Sequence, residues 1–331
     1  RLFLRTTEFL WQEGHTAHAT EQEAVEETEK IINLYADFAE NYMGVPVIKG
    51  RKTEEERFAG AVDTYAIEAL MQDGKALQCG TSHFLGQNFS KPFEVKFADK
   101  DNVENFAWQT SWGISWRLIG AMIMTHGDDK GLVLPPKVAP IQAVIIPIYY
   151  SDEDGQKVLK KANELQNNII SKNIRVHIDN RDQLTPGYKF HDWELKGIPL
   201  RIEIGPKDIE KNKVVLVKRY NKEKTDISFD DVAGKLDDVL MDIQKQMLIS
   251  GKKVLDEMIH NISSYEEFKS QIEKGGLLQT PWCGKQECEE KIKEETGADI
   301  RVIPFGSEDS SKKCVYCNEQ SISVPIFARG Y

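Results

Sequence analysis

The sequence predicts a mixed α+β chain, and three observations carry that expectation. The opening stretch, through His15, reads as a strand whose odd positions share one face, because strand side chains alternate. From Ile141 onward a buried apolar strand is followed by helices and strands in alternation, which implies a sheet with helices on its faces. The last fifty residues carry four of the five cysteines as two close pairs, Cys283-x4-Cys288 and Cys314-x2-Cys317. Length alone, 331 residues, predicts two or three domains.

The shared face of the opening strand carries Arg5, Phe9, Trp11, Glu13 and His15. A cation, two aromatics, a carboxylate and an imidazole make a poor core and a good lining for a small charged ligand. Thr20 to Met43 shows helical spacing, with Ala24, Thr28, Ile31, Ile32, Tyr35, Phe38, Ala39, Tyr42 and Met43 on the expected inner face. Thr20 with Glu23 forms a capping-box signature, and Gly44 with Pro46 ends the helix. A strand and a charged, mobile-looking loop follow to Ala61. Thr64 to Gln72 reads as a short helix, residues 75–90 as a strand turning into a loop, and residues 93–99 as another strand. Phe106 to Arg117 reads as a strand running into an apolar helix, Leu118 to His126.

Three prolines fall between Leu132 and Pro140, so a boundary is expected near Ala139. Residues 141–148 are the buried kind of strand. Helices are expected over Asp152–Lys172 and Pro186–Leu195, strands over 174–178, 200–205 and 214–219, and a long helix over Ser228–Ile249.

Composition excludes some classes. With 53 acidic and 43 basic side chains the formal charge is −10, which argues against global attraction to nucleic acid and leaves room for a local basic face. The mean hydropathy is −0.47, and no apolar run reaches the ~18 residues of a membrane span. Two close cysteine pairs in a cytoplasmic chain read as metal ligands rather than disulfides. Four thiolates make a closed tetrahedral Zn²⁺ site with no open position for water, a structural clip rather than a catalytic metal.

Residues 4–16, LRTTEFLWQEGHT, resemble the second half of motif 2 in class II prolyl-tRNA synthetases of the archaeal/eukaryotic-type branch. The resemblance continues through KGRKTEEERFAG, GTSHFLGQNFSKPFE, SWGISWRLIGAMIMTHGDDKGLVLPP, GIPLRIEIGPKD and the terminal ARGY, and so covers essentially the whole chain. It implies a class II antiparallel sheet with flanking helices over 1–139, an α/β anticodon-binding domain over 140–226, and a small zinc-binding α/β domain over 227–331. The implied activity is proline–tRNA ligation: proline and ATP give prolyl-adenylate, which is transferred to tRNA(Pro).

The resemblance also implies roles. Arg5 serves the ATP α-phosphate and Arg117, in the motif 3 position, the β- and γ-phosphates, since arginine is always charged and forks onto phosphate. Phe9 stacks on adenine, and Thr6, Gln78 and Ser115 contact the nucleotide. Trp11, Glu13, His15, Phe58, His83 and Ser111 enclose proline, with Trp112 and Gly113 shaping the floor. Cys79 is a small residue where the family commonly has glycine, not a nucleophile. Mg²⁺ is expected with ATP, Glu8 being one candidate contact. Asp128, Asp129 and Lys130 read as a solvated turn, and Trp116 as a bulky residue where small hydroxyl residues are common. For the anticodon, Tyr188, Phe190, Trp193, Arg201 and Glu203 are local candidates, with Phe190 and Trp193 sharing a core helix face. Lys218, Arg219, Lys222 and Lys224 either grip phosphates or form a solvated edge. The terminal Tyr331 carboxylate is expected to pack toward the catalytic domain.

The family's motif 1, its first motif 2 strand and its Thr-x-Glu loop are not found ahead of Arg1. The resemblance therefore implies a homodimer for the intact enzyme and impaired activity for this chain alone. The alternatives are a non-catalytic tRNA-binding fragment and another class IIa synthetase. A cytoplasmic location is expected, with no membrane partner.

Overall fold

The computed structural model describes residues 2–331; Arg1, the first residue of the opening stretch, lies outside them. The described chain folds as two units, one of residues 2–40, 45–125 and 252–331, the other of 41–44 and 126–251. Among the described residues no helix is long and apolar enough to cross a membrane.

The first unit begins with β1 (Trp11–His18), α1 (Glu21–Asn41), β2 (Ile48–Arg51), β3 (Asp63–Leu70), β4 (Ala76–Gly86), β5 (Lys96–Ala98), β6 (Glu104–Phe106), β7 (Trp108–Ser115) and α2 (Arg117–His126). Strands β1, β7, β4, β3 and β2 pair in that order, all antiparallel. The capping box of α1 is present, with Glu23 N–H donating to Thr20 Oγ1 at 3.3 Å and Thr20 N–H to Glu23 Oε2 at 3.1 Å. Ala24, Thr28, Ile31, Ile32, Tyr35 and Ala39 are buried as expected, whereas Phe38 and Tyr42 lie on the exposed side.

Three expectations need correction. The opening strand starts at Trp11, not at the N-terminus. Its partner β7 ends at Ser115, paired with Trp11; one further bond, Trp116 N–H to Leu10 O at 3.0 Å, closes the ladder before the chain turns into α2. Thr64 to Gln72 is not a helix but lies in β3 and the turn after it. Residues 64–69 are all buried, so the two-residue alternation that marks a strand is erased. The stretch 106–117 is two strands, β6 and β7, interrupted at Ala107, whose N–H donates to Val95 O at 3.0 Å.

The second unit holds β8 (Ala143–Pro147), α3 (Asp152–Ile170), β9 (Val176–Ile178), α4 (Pro186–Leu195), β10 (Leu200–Ile204), α5 (Pro206–Glu210), β11 (Lys213–Lys218), β12 (Lys224–Ser228) and the start of α6 (Val232–Glu257). Its sheet runs β12-β11-β10-β8-β9, parallel where β10, β8 and β9 meet and antiparallel beyond. Every residue of β8 is buried. The core joins Ile145, Leu165, Ile202 and Leu216 to Val232, Leu236, Leu240, Ile243 and Met247 of α6, spaced as one helix face. The long helix thus starts later than Ser228, because Lys224–Ser228 adds an edge strand, and it runs past Ile249.

After α6 the chain returns to the first unit with β13 (Ile259–Asn261), α7 (Tyr265–Ile272), β14 (Leu277–Gln279), α8 (Gln286–Thr296), β15 (Asp299–Pro304) and β16 (Ile326–Ala328). Strand β15 pairs antiparallel with β2 through Ile303↔Arg51, so the C-terminal strands extend the first sheet to nine strands. A buried ion network lies at this seam. Glu68, 1% exposed, accepts from Lys52 Nζ at 3.1 Å and from Arg301 Nη2 at 3.0 Å. Burial works against the Arg301 charge, but Glu68 and Asp299 outweigh it and hold the guanidinium above its ordinary pKa.

Candidate active site

The antiparallel register aligns distant residues. His15 in β1 faces Ser111 in β7, Ser111 faces His83 in β4, and His83 faces Thr64 in β3. Side chains directly across adjacent strands lie about 4.5–5.5 Å apart at Cβ, so this row crosses four strands on one face. The next row is Glu13, Gly113 and Thr81. Gly14 is required here, since a Cβ on it would lie 2.3 Å from the Trp112 indole, which covers the β1 backbone.

Above this face is a cavity of about 740 Å³, within the ~300–1,000 Å³ of small-molecule sites. The six expected proline-pocket residues, Trp11, Glu13, His15, Phe58, His83 and Ser111, all line it. So do the six nucleotide candidates, Arg5, Thr6, Phe9, Gln78, Ser115 and Arg117. Arg5, Thr6 and Phe9 enter from the turns ahead of β1 rather than from a strand, which corrects the expectation that placed them on it. Trp11 remains 57% exposed, open to an occupant, and meets Phe9 edge to face with centroids 5.6 Å apart.

One end of the cavity is built from rings and hydrogen-bonded polar side chains. His15 Nε2 lies 3.2 Å from Glu13 Oε1. The Phe58 ring lies against His83 with centroids 4.7 Å apart. The Thr64 hydroxyl lies 3.0 Å from His83 Nδ1 and accepts from Phe58 N–H at 3.1 Å. Burial pushes His83 down to about 4, so the imidazole is neutral at neutral pH and acts as a polar wall rather than a charge.

At the other end, Arg117 opens α2. Its Nε donates to Leu4 O at 3.1 Å and its Nη1 to Gln78 O at 3.4 Å. Its pKa is lowered first by burial and then by the neighbouring charge of Arg5, so the two guanidinium groups share one electrostatic environment. Arg5 Nη2 donates to Tyr331 O at 2.5 Å, and Tyr331 N–H donates to Ala76 O at 3.2 Å. The C-terminal residue thus packs on the antiparallel sheet of the first unit. Cys79 is 3% exposed, burial pushes its thiol up to about 12, and it donates to Leu77 O. That is an inert core thiol. Glu8 is exposed and does not line the cavity. The Trp116 ring packs edge to face on Phe3 at 5.7 Å and lines the cavity with it.

Sequence reasoning missed Lys52, Glu56 and Thr64, which also line the cavity. Thr64 was hidden by the helical reading. Lys52 and Glu56 lie in a loop expected to be mobile, yet Lys52, Thr53, Glu56 and Arg57 are each hydrogen-bonded at its base.

The four sulfur atoms of Cys283, Cys288, Cys314 and Cys317 lie within 4.8 Å of one another. Cys283 Sγ is 3.6 Å from both Cys288 Sγ and Cys317 Sγ, and none is in a disulfide. Ligands ~2.3 Å from a tetrahedral zinc stand about 3.8 Å apart, so the donor set fits that ion.

In the second unit, a smaller cavity of about 230 Å³ is lined by Phe190, Trp193, Arg201, Lys222 and Lys224, among others. Arg201 stacks on Phe190 at 4.2 Å and is held by Glu203 at 2.7 Å. Trp193 is buried with its Nε1 donating to Asp179 at 2.8 Å, Phe190 packs half-buried beside it, and Tyr188 is 57% exposed. Two of the four basic residues, both lining the cavity, are already paired within the unit. Arg219 is buried and clamps Asp128 through two bonds of 2.7 and 2.9 Å. Lys218 is shared between Glu223 and Asp242. The same clamp corrects the reading of Asp128 as part of a solvated turn, and the Arg219 hydrogen bonds hold its carboxyl far below the usual range.

Comparison with known proteins gives three family matches: tRNA synthetase class II core domain (G, H, P, S and T) over residues 2–126, anticodon binding domain over 142–238, and prolyl-tRNA synthetase, C-terminal, over 265–331. The proline–tRNA ligase of Cenarchaeum symbiosum is 56% identical over 329 residues, covering 99% of this chain and 69% of that protein. The Flavobacterium psychrophilum ligase is 52% identical, covering 100% and 68%. Among solved structures, prolyl-tRNA synthetase from Cryptosporidium parvum, complexed with halofuginone and AMPPNP or with L-proline and AMP, superposes with a TM-score of 0.95 at 42% identity and covers the whole of this chain. It follows that this chain belongs to the prolyl-tRNA synthetase family, the class II proline–tRNA ligases.

Proposed function

We propose that the 740 Å³ cavity activates proline with ATP, and that the product is passed to the 3′ end of tRNA(Pro). The observation that carries this is the joining of two unlike halves in one cavity. An aromatic and imidazole enclosure on the sheet face adjoins a pair of guanidinium groups at the α2 end. In the first step a proline carboxylate oxygen attacks the ATP α-phosphorus and pyrophosphate leaves. Trp11, Phe58 and His83 enclose the imino-acid ring, with Glu13, His15 and Ser111 supplying polar contacts. Arg5 takes the α-phosphate, where charge grows in the transition state. Arg117 takes the β- and γ-phosphates, Phe9 the adenine, and Thr6, Gln78 and Ser115 the rest of the nucleotide. In the second step a ribose hydroxyl of the tRNA attacks the mixed anhydride and AMP departs.

Partners and cofactors follow from this reading. The region 142–238 would bind the anticodon loop, with Phe190 and Arg201 offering a stacking surface to unpaired bases. Mg²⁺ would arrive with ATP and neutralise phosphate charge. Zn²⁺ would be held by Cys283, Cys288, Cys314 and Cys317 as a structural clip. We place the module limits at 1–139, 140–226 and 227–331, the assembly as a homodimer, and the location as the cytoplasm.

Two tests apply. An amino-acid panel in ATP–pyrophosphate exchange should single out proline. Alanine should follow one to two orders of magnitude behind, since an apolar slot rejects a smaller ligand by only about 1–3 kcal/mol. Threonine, histidine or glycine ahead of proline would overturn the reading. Metal analysis of chain purified without chelators should find about one zinc per chain, and a zinc-free preparation of equal stability would remove the clip.

A further inference from the structure

The loop 52–58 joins two places. At its base, Thr53 Oγ1 donates to Glu289 Oε1 at 2.9 Å, with both residues buried. Lys52 Nζ donates to Arg301 O at 2.7 Å, and Lys293 Nζ to Glu56 Oε1 at 2.8 Å. All three partners belong to α8 and β15, more than two hundred residues along the chain. At its far end the loop delivers Phe58 against His83, its N–H fixed by Thr64. Thr53 also accepts from Glu56 N–H at 3.3 Å, so the hydroxyl that reaches Glu289 closes the turn that aims the loop.

We propose that Thr53 and Glu289 are positioning residues for proline recognition: their hydrogen bond is the latch by which the C-terminal lobe sets the Phe58 wall of the amino-acid pocket. This rests on the reading of the cavity as a proline site. Neither residue lines the cavity, so the effect passes through the loop. Burial pushes the Glu289 carboxyl up to about 7, and a buried carboxyl group left without its hydrogen-bond donor is costly, so an attachment of this kind is fixed in place. Three anchored residues ahead of one aromatic wall make a loop whose base is rigid and whose tip depends on that base. The nucleotide half of the cavity is carried by α2, the turns ahead of β1, and Gln78 and Ser115 on β4 and β7, none of which the Thr53–Glu289 bond touches.

That asymmetry gives the test. In the full chain, Thr53→Val keeps the side-chain shape and removes the hydroxyl. Proline binding is titrated in the presence of AMPPNP, AMPPNP binding is titrated alone, and amide exchange is followed over residues 56–61. The expected result is a rise of about five- to tenfold in the proline Kd, the worth of one hydrogen bond. The AMPPNP Kd should stay within about twofold, exchange near Phe58 should be faster, and Thr53→Ser should restore wild-type behaviour. Unchanged proline binding and exchange in Thr53→Val overturns the latch. So does an equal loss for proline and AMPPNP, which marks a general structural role. A wild-type chain with no preference for proline over alanine sinks the proline reading instead, and that control is read first.

Discussion

Glu68→Ala should destabilise the nine-stranded unit by about 3–5 kcal/mol, the cost of removing one partner from a buried ion pair. Glu68 takes hydrogen bonds from two cations, Lys52 and Arg301, across the seam where β15 joins the catalytic sheet. Without it, Arg301 keeps Asp299 and Lys52 keeps the Arg301 carbonyl. Two positive charges then share a buried site with one carboxylate at its margin. Glu68→Gln retains the shape and an acceptor oxygen but not the charge, so it should be as harmful as the alanine change or nearly so. A purely steric site would instead tolerate glutamine. The measurement is the urea midpoint followed by tryptophan fluorescence, and a loss below about 1 kcal/mol for the alanine variant would show that the network is solvated. Because Lys52 also lines the cavity, proline affinity should fall along with stability.

How much of this was legible in the sequence depends on how far apart the partners lie. The cysteine cluster was, because each half is a short spacing and thiols have few other uses in such a pattern. Helix α1 was, because Thr20 and Glu23 cap it and its inner face repeats. The row of His15, Ser111, His83 and Thr64 was not readable from periodicity, since it is made by the register of four strands. Only the family resemblance brought the first three together, and it did not bring Thr64. Strand β3 was misread because burial on both faces leaves no alternation. Arg5 and Phe9 were placed on a strand because alternation was carried past the point where the partner strand ends. The Asp128–Arg219 clamp spans 91 positions, and no local rule pairs two charges at that distance. The joining of β15 to β2 is likewise set by tertiary pairing, and it turns the zinc-type tail into part of the catalytic sheet.

Arg117→Ala should lower proline-dependent exchange by about 10²–10³-fold relative to the unaltered chain, in the range seen when one transition-state donor is lost. Its surroundings explain why the effect should fall on function rather than on folding. The guanidinium is half-buried, is held by carbonyl oxygens rather than a carboxylate, and has Arg5 for a neighbour. Burial and like charge both oppose its ionisation, so the resting site carries a cation it does not need for stability. An anionic occupant reverses that balance, since a phosphate chain between two guanidinium groups satisfies both at once. The alanine variant should therefore be as stable as the wild type or slightly more so, a separation typical of groups kept for activity. Arg117→Lys should recover only part of the loss, because an ammonium supplies the charge but not the planar fork. The AMPPNP Kd should rise in both variants while the proline Kd measured without nucleotide stays put. An alanine variant exchanging within about threefold of wild type would remove Arg117 from the nucleotide site. A variant that loses activity only as it unfolds would make it a structural residue.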